Sequence, residues 1–336
     1  MELIFLGTSS GTPTKTRNVS AVAIKMINSK AWCLVDCGEG TQQQILRTKL
    51  SLNKLSAIFI THLHGDHCYG LPGLLASATM SGRVDDLLIV GPAETQDYFE
   101  NIQKHSQMRL SYKITFIEVE NLQRLNQLDD FDIEIIELSH RVESYAYAFI
   151  EKNIKAKLNV NKLKQDNIEP GIAWSQLHRG QDVHLDNGIT LKSDEYVLDK
   201  RSARKIIIAG DNDQPSLLAQ HAKLANVLVH EATYTDAVAQ KVGKTPQHSS
   251  AKMVAEFATD ACLDNLILTH FSPRYQYHAK NSHSILEIKD EAQLYYNGQL
   301  FLANDFDCLQ LNIDGKLSLV ETITEQISEK GTEYPV

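Results

Sequence analysis

The stretch THLHGDHCYG, residues 61–70, places three histidines and one aspartate within six positions. His62 and His64 follow an apolar run that is typical of a strand, where residues two apart point to the same side, so both imidazoles can bind one ion. A glycine then lets the backbone turn, and Asp66 and His67 beyond it can face a neighbouring ion. Imidazole and carboxylate suit zinc, and a zinc site open to water is of the catalytic kind. The alternative is ordinary surface or core histidines.

Four ligands do not complete two coordination shells, so further ligands are expected downstream. His140 closes the run IEIIELSH, Asp211 closes KIIIAGD, and His270 closes NLILTH. One polar residue at a strand end is usually a capped strand or a satisfied turn. Three in succession, each after an apolar strand, indicate the missing ligands of a metal centre.

The elements that must position these side chains can be predicted from apolar periodicity. Short β-branched runs predict strands over 20–27, 31–38, 57–61, 132–138 and 145–150. Capping and first-turn signals predict helices over 91–106, 249–261 and 284–293. The later runs KIIIAGD, NVLVHEA, NLILTH and QLFLAND each end in a polar residue, which presents chemistry along one edge of a sheet. The pattern predicts an α/β fold, strand-rich in its first half.

The HxHxDH signature, followed by spaced His, Asp and His, resembles the metallo-β-lactamase superfamily over nearly the whole chain. The resemblance implies an αβ/βα four-layer sandwich, formed as a single domain by residues 1–336, with two Zn²⁺ per subunit. Mn²⁺ or Fe²⁺ would also accept this ligand set. The implied ligands are His62, His64 and His140 for one ion, Asp66, His67 and His270 for the other, and Asp211 as the bridge. Cys68 is no ligand in this pattern, and we expect it to be buried.

Further stretches are similar to the tRNase Z family, the tRNA 3′-processing endoribonucleases of this superfamily. They are GTPTKTRN (11–18), DCGEGTQQQ (36–44), HEATY (230–234), HSS (248–250) and LTHFSPRY (268–275), with HGDHCYGLPGLL and MSGR continuing the match. The resemblance implies cleavage of the 3′ trailer from precursor tRNA after the discriminator base. The products would be a tRNA with a 3′-OH and a trailer with a 5′-phosphate.

The resemblance also implies roles for individual residues. Two metal ions about 3.5 to 4 Å apart would activate a water for attack on phosphorus. Asp66 would orient or deprotonate that water, and His248 would protonate the leaving oxygen with Glu231 behind it. Independently of the family, Glu231 and His248 could form a carboxylate–imidazole pair that raises the proton affinity of the ring. Alternatively, Glu231 is a buried, hydrogen-bonded carboxylate at a strand end.

Substrate contacts are expected from a basic, polar loop that follows the first strand. Lys15, Arg17 and Asn18 lie beside a strand end, where they could touch phosphates that enter the site. Such a loop on its own is usually only solvated. Arg274, within LTHFSPRY, is a further candidate contact.

A lysine-rich segment interrupts the pattern over residues 152–196. Between 152 and 192 the chain carries seven basic and four acidic residues, or +3, which leaves about −12 for the rest of a chain whose net charge is −9. That net charge argues against indiscriminate nucleic-acid binding, so positive charge must act locally. The resemblance implies an inserted arm that grips the tRNA elbow, with Lys155, Lys157, Lys162 and Lys164 as candidate contacts. A solvated loop is the alternative.

In family dimers the arm of one subunit holds the tRNA that the other cleaves, so the resemblance implies a homodimer.

Two positions depart from the family pattern. Ile172 follows Gly171 where a proline is usual, which affects the arm, and Asn212 follows Asp211 where threonine is common. We expect Asn212 to change the surroundings of the bridging ligand without abolishing metal binding.

Composition limits the remaining classes of protein. A chain of 336 residues with 43% apolar residues supports a sizeable core. Five cysteines at scattered positions do not indicate a disulfide framework, which fits a reducing cytoplasm. An acidic residue at position 2 and the lack of a basic n-region argue against a signal peptide, and no apolar run approaches a membrane span. We expect a soluble, cytoplasmic protein.

Two other functions remain open at this point. A metallo-hydrolase of small phosphodiesters or thioesters could use the same metal core, although it would need neither the arm nor the basic loop. A non-catalytic RNA-binding scaffold is of a different class. Such proteins typically lose ligands, whereas this chain keeps all seven.

Overall fold

A computed structural model describes residues 1–120, 122–154, 157–185, 188–198, 201–277 and 283–322. The strands are β1 (Glu2–Gly7), β2 (Ala21–Lys25), β3 (Trp32–Val35), β4 (Leu55–Phe59), β5 (Leu87–Gly91), β6 (Ile114–Glu118), β7 (Arg124–Leu125), β8 (Phe131–Leu138), β9 (Ser144–Glu151), β10 (Val183–His184), β11 (Thr190–Leu191), β12 (Lys205–Ala209), β13 (Val227–Glu231), β14 (Asn265–Thr269), β15 (Gln299–Leu302), β16 (Asp307–Leu311) and β17 (Leu317–Thr322).

The helices are α1 (Thr41–Leu46), α2 (Gly65–Cys68), α3 (Leu71–Met80), α4 (Glu94–Ser106), α5 (Val160–Gln165), α6 (Ile172–His178), α7 (Ala219–Ala222), α8 (Asp236–Val242), α9 (Ala251–Asp260) and α10 (Ile285–Tyr295). Short 3-10 turns cover Leu52–Lys54, Ser193–Glu195 and Pro215–Leu218. Among the described residues, none of the helices combines the length and apolar character needed to cross a bilayer.

The predicted strands and helices are present, with shifts of a few residues at their ends. The helix predicted over 91–106 begins at Glu94, because Gly91 still belongs to β5. The Ser250 hydroxyl accepts the Met253 N–H at the start of α9, and Ser284 and Glu287 form a capping box on α10. The sequence predicts only a turn after His64, where the structure has the four-residue helix α2.

Two large sheets form the main body of the described chain. The eight-stranded sheet has the order β17-β16-β1-β2-β3-β4-β5-β6, and the seven-stranded sheet has the order β15-β14-β13-β12-β9-β8-β7. Apolar side chains from both sheets form one shared core that includes Phe5, Phe59, Tyr147, Phe149 and Ile267. The sheets therefore pack face to face.

Helices cover the outer face of each sheet. A second core joins the seven-stranded sheet to α9 and α10, through residues such as Leu266, Val254 and Ile288. A third core joins the eight-stranded sheet to α3 and α4, through residues such as Ile58, Leu74 and Phe99. The layers thus run helix, sheet, sheet, helix, which is the predicted four-layer sandwich.

The chain divides into two compact units, one of residues 1–150 with 204–336 and one of residues 151–203. The predicted arm segment, 152–196, falls within the second unit. That unit has a small core of its own, formed by Leu163, Leu177, Val183, Leu191 and Tyr196. Its α6 begins at Ile172, whose side chain is exposed. All five cysteines of the chain are free, and Cys68 is buried as expected.

Candidate metal centre

The ends of parallel strands bring the predicted ligands together. β12, β13, β14 and β15 are parallel neighbours, so their carboxyl ends meet at one edge of the seven-stranded sheet. Asp211 follows β12 and His270 follows β14, while His62 follows β4 of the other sheet. Gly210 permits this approach, because a Cβ there would lie 2.6 Å from the Thr61 Cβ. The two sheets therefore present their strand ends to a common site.

The first cluster contains His62, His64, His140 and Asp211. His64 Nδ1 lies 3.1 Å from both His62 Nε2 and His140 Nε2. Asp211 Oδ2 lies 3.6 Å from His62 Nε2 and 3.7 Å from His140 Nε2. Three imidazole nitrogens and one carboxylate oxygen thus converge on one point.

The second cluster contains Asp66, His67 and His270. The two Nε2 atoms lie 3.2 Å apart, and Asp66 Oδ2 lies 3.5 Å from His67 Nε2 and 3.3 Å from His270 Nε2. Asp211 Oδ1 is 3.5 Å from His67 Nε2 and 3.3 Å from His270 Nε2. Asp211 therefore presents one carboxylate oxygen to each cluster, as a bridging ligand would.

The hydrogen bonds of the other ring nitrogens show which nitrogens carry lone pairs. His140 Nδ1 donates to the Gln247 carbonyl at 2.9 Å, and His67 Nδ1 donates to Asp36 Oδ2 at 2.7 Å. The Thr61 hydroxyl donates to the same Asp36 oxygen at 2.9 Å and so accepts from His62 Nδ1 at 3.0 Å. In all three rings the unprotonated Nε2 points into the clusters.

The arrangement of acceptors fits metal ions. The Nε2 atoms of His67 and His270 lie 3.2 Å from each other and 3.3 to 3.5 Å from oxygens of Asp66 and Asp211. Lone pairs at such distances repel unless a cation lies among them. Nitrogen and oxygen ligands of this number and type suit zinc. The donor set is thus that of two adjacent cation sites with Asp211 between them.

Burial and charge set the protonation of the ligands. Burial lowers the pKa of His62, His64 and His140, which favours the neutral imidazole that binds metals. Burial also raises the pKa of Asp66, but the neighbouring His67 and His270 outweigh it and hold that pKa well below its usual value. Asp66 is therefore a carboxylate at neutral pH.

The loop after β1 lies against the second cluster. The Gly11 N–H donates to Asp66 Oδ2 at 2.7 Å, and the Ser10 N–H donates to the Phe271 carbonyl at 3.0 Å. The loop backbone thus fixes one oxygen of Asp66. The sequence does not predict this contact, because it uses a backbone N–H, a group that nearly every residue type has.

His248 and Glu231 form a hydrogen-bonded pair beside Asp211. His248 Nδ1 lies 3.0 Å from Glu231 Oε1 and 3.7 Å from Asp211 Oδ2. Burial lowers the pKa of His248, but the Glu231 carboxylate outweighs it and raises that pKa to about 9. Burial conversely raises the pKa of Glu231, and His248 outweighs it and lowers that pKa to about 2. At neutral pH the imidazole therefore holds a proton that it can donate.

Asn212 supports this pair from behind. Its side chain is fully buried, its backbone N–H donates to Glu231 Oε1 at 3.0 Å, and its Oδ1 accepts from the Ser139 N–H at 3.2 Å. Its Nδ2 lies 3.0 Å from Nε2 of His230, whose Nδ1 donates to the Glu231 carbonyl at 2.8 Å. The departure at position 212 thus contributes to the surroundings of Glu231.

The basic loop differs in part from its predicted role. Lys15 is exposed, but Arg17 is buried, with its guanidinium 2.6 Å from Thr8 Oγ1, 2.7 Å from the Ala303 carbonyl and 2.9 Å from Tyr277 Oη. Arg17 therefore anchors the loop instead of offering its charge to a phosphate. The residue type alone could not separate these two uses of an arginine.

Asn18 and Arg274 also make intramolecular contacts. The Asn18 amide donates to the Glu39 carbonyl at 2.9 Å, and its backbone N–H donates to Asp305 Oδ2 at 2.6 Å. Arg274 is exposed, with its guanidinium 5.1 Å from the centre of the Tyr234 ring, which itself lies 6.1 Å from the His248 ring. Arg274 thus places positive charge at the rim of the site.

The predicted arm lysines have different surroundings. Lys157 and Lys164 are exposed. The Lys162 ammonium lies 3.6 Å from Glu195 Oε2 and 4.8 Å from the centre of the Tyr196 ring, so part of its charge is used within the unit. Lys155 lies outside the described residues.

Known proteins resemble this chain in sequence and in fold. A ribonuclease Z of Marinobacter nauticus is 49% identical over 321 residues, which cover 96% of this chain and 99% of the relative. The crystal structure of human tRNase Z, short form, matches 93% of this chain and 100% of its own, with 26% identity and a TM-score of 0.63. YhfI from Bacillus subtilis, a metallo-β-lactamase fold protein, matches at 17% identity over 91% of this chain and 98% of its own, with a TM-score of 0.62.

A family model described as Anti-Pycsar protein Apyc1 matches residues 1–158. That match includes the HxHxDH cluster and His140, and it ends before Asp211, Glu231 and His248. It therefore covers five of the seven predicted ligands, whereas the match to M. nauticus ribonuclease Z extends over nearly the full length.

Proposed function

The chain belongs to the ribonuclease Z family, and we propose that it removes the 3′ trailer from precursor tRNA by hydrolysing one phosphodiester bond at the metal centre. The observation that carries this proposal is the hydrogen-bonded His248–Glu231 pair beside two complete ligand clusters. Clusters of metal ligands alone would serve many hydrolases. A proton donor next to them suits RNA cleavage, because the RNA oxygen is a poor leaving group unless it is protonated.

Two zinc ions would be held by the seven predicted ligands, which are His62, His64, His140, Asp66, His67, His270 and the bridging Asp211. When bound, they would supply charge stabilisation for the phosphate oxygens and acidify a water. Mn²⁺ or Fe²⁺ would fit the same nitrogen and oxygen donors. The identity and number of the ions are part of the proposal.

Asp66 would orient or deprotonate the attacking water. Its low pKa keeps it ionised, and the Gly11 N–H holds its Oδ2 in place. Asp211 Oδ2 lies near His62 of the first cluster and Asp211 Oδ1 lies near His270 of the second. Asp211 would thus hold the two sets of ligands beside each other. Water and phosphate would therefore meet in a site whose acceptors are already fixed, which lowers the cost of orienting them.

His248 would protonate the 3′ oxygen of the retained RNA as the bond breaks. Glu231 supports this step in two ways, since its charge raises the pKa of His248 and its Oε1 fixes Nδ1 as a donor. The other ring nitrogen, Nε2, would then be the one that gives its proton to the substrate. The products would be a 3′-OH on the tRNA and a 5′-phosphate on the trailer, with the cut after the discriminator base.

Binding of the tRNA body would use the arm unit and the basic residues near the site. We assign phosphate contacts to Lys15 and Arg274 on the main body and to Lys157 and Lys164 of the second unit, because these side chains are exposed. The proposal includes a cytoplasmic homodimer in which one subunit's arm holds the tRNA that the other cleaves. Size-exclusion chromatography with light scattering, with and without tRNA, tests this assembly.

The proposed activity is tested with purified, zinc-loaded protein and a precursor tRNA that carries a 3′ trailer. Mapping both new ends should show one cut after the discriminator base, with a 3′-OH and a 5′-phosphate. Turnover of a small phosphodiester without any cut in this RNA would overturn the assigned substrate and favour a small-molecule hydrolase. Binding of the RNA with neither activity would favour a scaffold.

A further inference from the structure

Thr233 lies between the proton-donor pair and the second metal cluster. Its fully buried hydroxyl donates to Glu231 Oε2 and lies 3.0 Å from His270 Nδ1. We infer that Glu231 serves the metal centre as well as His248, because Thr233 connects this carboxylate to the ligand His270. The inference rests on the metal centre of the proposed function, and it adds Thr233 as a positioning residue.

The direction of the hydrogen bonds supports this connection. A hydroxyl has one proton, and the nearby acceptors of the Thr233 proton are Glu231 Oε2 and the His270 carbonyl, the latter at 3.1 Å. The carboxylate is the charged acceptor and makes the shorter contact, so it takes the proton. Thr233 Oγ1 then accepts from His270 Nδ1–H, which leaves the lone pair of His270 on Nε2. That is the atom that faces His67 Nε2 and Asp211 Oδ1.

The backbone at His270 also needs such support. Its φ is +57°, in the left-handed region that residues with a side chain seldom adopt. Conformations of this kind persist where the surroundings impose them. The Phe271 N–H donates to the Thr8 carbonyl at 2.9 Å, and Thr233 contacts both the ring and the carbonyl of His270. The hydroxyl therefore fixes the ring by accepting from His270 Nδ1, while the Phe271 N–H fixes the adjoining backbone through Thr8.

The first cluster contains the same arrangement. Thr61 Oγ1 donates to Asp36 Oδ2 and accepts from His62 Nδ1, at 2.9 and 3.0 Å. Each cluster thus has one histidine oriented by a carboxylate through a threonine. The difference is that Asp36 also bonds the ligand His67, whereas Glu231 also bonds the proton donor His248. One carboxylate is therefore shared between metal binding and proton donation.

This arrangement predicts an effect that a role confined to His248 would not produce. Loss of Glu231 or of the Thr233 hydroxyl should weaken metal binding, because His270 loses its fixed tautomer and ring orientation. Loss of the His248 ring should not, because the connection from Glu231 through Thr233 to His270 remains. Metal affinity, measured without any substrate, separates the two roles.

The experiment titrates zinc into metal-free protein in competition with a chromogenic chelator. The variants are Glu231→Gln, Thr233→Val, Thr233→Ser and His248→Ala, with Thr235→Val as the matched control. Thr235 is also a buried threonine, but its hydroxyl contacts Tyr275 Oη at 3.1 Å. Circular dichroism and thermal unfolding of each metal-free variant check that it is folded.

We expect Glu231→Gln and Thr233→Val to weaken zinc binding at the second cluster, which contains His270, by about 10- to 100-fold. Thr233→Ser should keep most of the wild-type zinc affinity, because serine retains the hydroxyl. The zinc affinities of His248→Ala and Thr235→Val should stay within about twofold of the wild-type value, because neither change removes support from a metal ligand. Wild-type zinc affinity in Glu231→Gln, or an equal loss in His248→Ala, would overturn the inference. Failure of the wild-type protein itself to take up zinc would instead reject the metal centre of the proposed function.

Discussion

His248 Nδ1 lies 3.0 Å from Glu231 Oε1, so an imidazole that is partly open to solvent is held by a carboxylate that is fully buried. This contact does more than raise the pKa of the ring. It leaves Nε2 as the atom that can reach a substrate, because Nδ1 is engaged. The position of Asp211 Oδ2, 3.7 Å from the same Nδ1, places this donor directly beside the metal ligands.

The role of His248 as proton donor predicts a dependence on the leaving group. His248→Ala should lower kcat/KM for precursor tRNA by about 10²- to 10⁴-fold, the usual contribution of general acid catalysis. It should change the hydrolysis of bis(p-nitrophenyl) phosphate little, because p-nitrophenolate leaves without a proton. Steady-state kinetics on both substrates measure this. Equal losses on the two substrates would show that His248 supports the metal centre instead.

Asp66 should separate cleavage from binding. Asp66→Ala removes a metal ligand and the acceptor for the water's proton, so cleavage of precursor tRNA should fall by at least about 10³-fold. Binding of the tRNA should persist, because its contacts lie mainly elsewhere. Filter binding with labelled tRNA gives the Kd, and single-turnover cleavage gives the rate. Wild-type cleavage in this variant would reject the assigned site.

Arg17 and Lys15 should have opposite effects, despite lying in one loop. Arg17→Met removes a buried guanidinium and leaves the partners Thr8 and Ala303 without their donor, which should cost about 3 kcal/mol of unfolding free energy. Lys15→Ala should leave stability unchanged and weaken tRNA binding. Urea unfolding and filter binding of both variants distinguish the roles. A stable Arg17→Met protein with weakened tRNA binding would restore Arg17 as a substrate contact.

The lysines of the second unit should differ in their contribution to tRNA affinity. Lys157→Ala and Lys164→Ala should each weaken binding and reduce the slope of log Kd against log salt by about one, as expected for a lost phosphate contact. Lys162→Ala should have a smaller effect, because Glu195 already neutralises part of its charge. Lys104→Ala, at an exposed position of α4, is the control. Salt slopes that are the same in all four variants would argue against an arm role.

Glu134 should make the stability of the protein depend on pH, through contacts outside the metal centre. Burial raises the pKa of Glu134, but hydrogen bonds from Lys205 and His221 outweigh it and lower that pKa below its usual value. A carboxyl with a depressed folded-state pKa stabilises the protein above its unfolded-state pKa of about 4.3, and the contribution is lost as the pH falls through the folded-state value. Glu134→Gln should therefore cost about 1 to 3 kcal/mol at pH 7.

The difference between Glu134→Gln and the wild type should narrow as the pH is lowered below about 4. Urea unfolding at a series of pH values measures it. Glu256→Gln is the matched control, since Glu256 makes a more exposed ion pair with Lys252 at 3.9 Å and should contribute little. A cost for Glu134→Gln that does not vary with pH would contradict the ionic origin of the effect.

Much of the fold and of the metal centre could be predicted from sequence, because both depend on local patterns. Period-two and β-branched runs mark strands, and a polar residue directly after such a run marks a strand end. His62, His140, Asp211 and His270 all carry this mark, and the resemblance to a known family ordered them into two sets. The structure brings together those same sets.

Other functional contacts carried weaker signals. Asp36 and Thr233 lie within two stretches that resemble the family, DCGEGTQQQ and HEATY, yet no sequence pattern predicts which imidazole ring each of them orients. The contact of Gly11 with Asp66 uses a backbone N–H, which every residue except proline has. The sequence predicts a phosphate contact at Arg17, because side-chain type does not reveal that this arginine is buried.

Local sequence is enough to identify the ligand types, their order along the chain and the strand ends that carry them, because these depend on neighbouring residues. The packing of the folded chain was needed to show that Thr233 joins Glu231 to His270, that the Gly11 N–H holds Asp66, and that Arg17 is buried. His67 and His270, for example, are 203 residues apart in sequence and 3.2 Å apart at their Nε2 atoms. Such contacts arise from the packing of two sheets, which sets distances that local sequence does not encode.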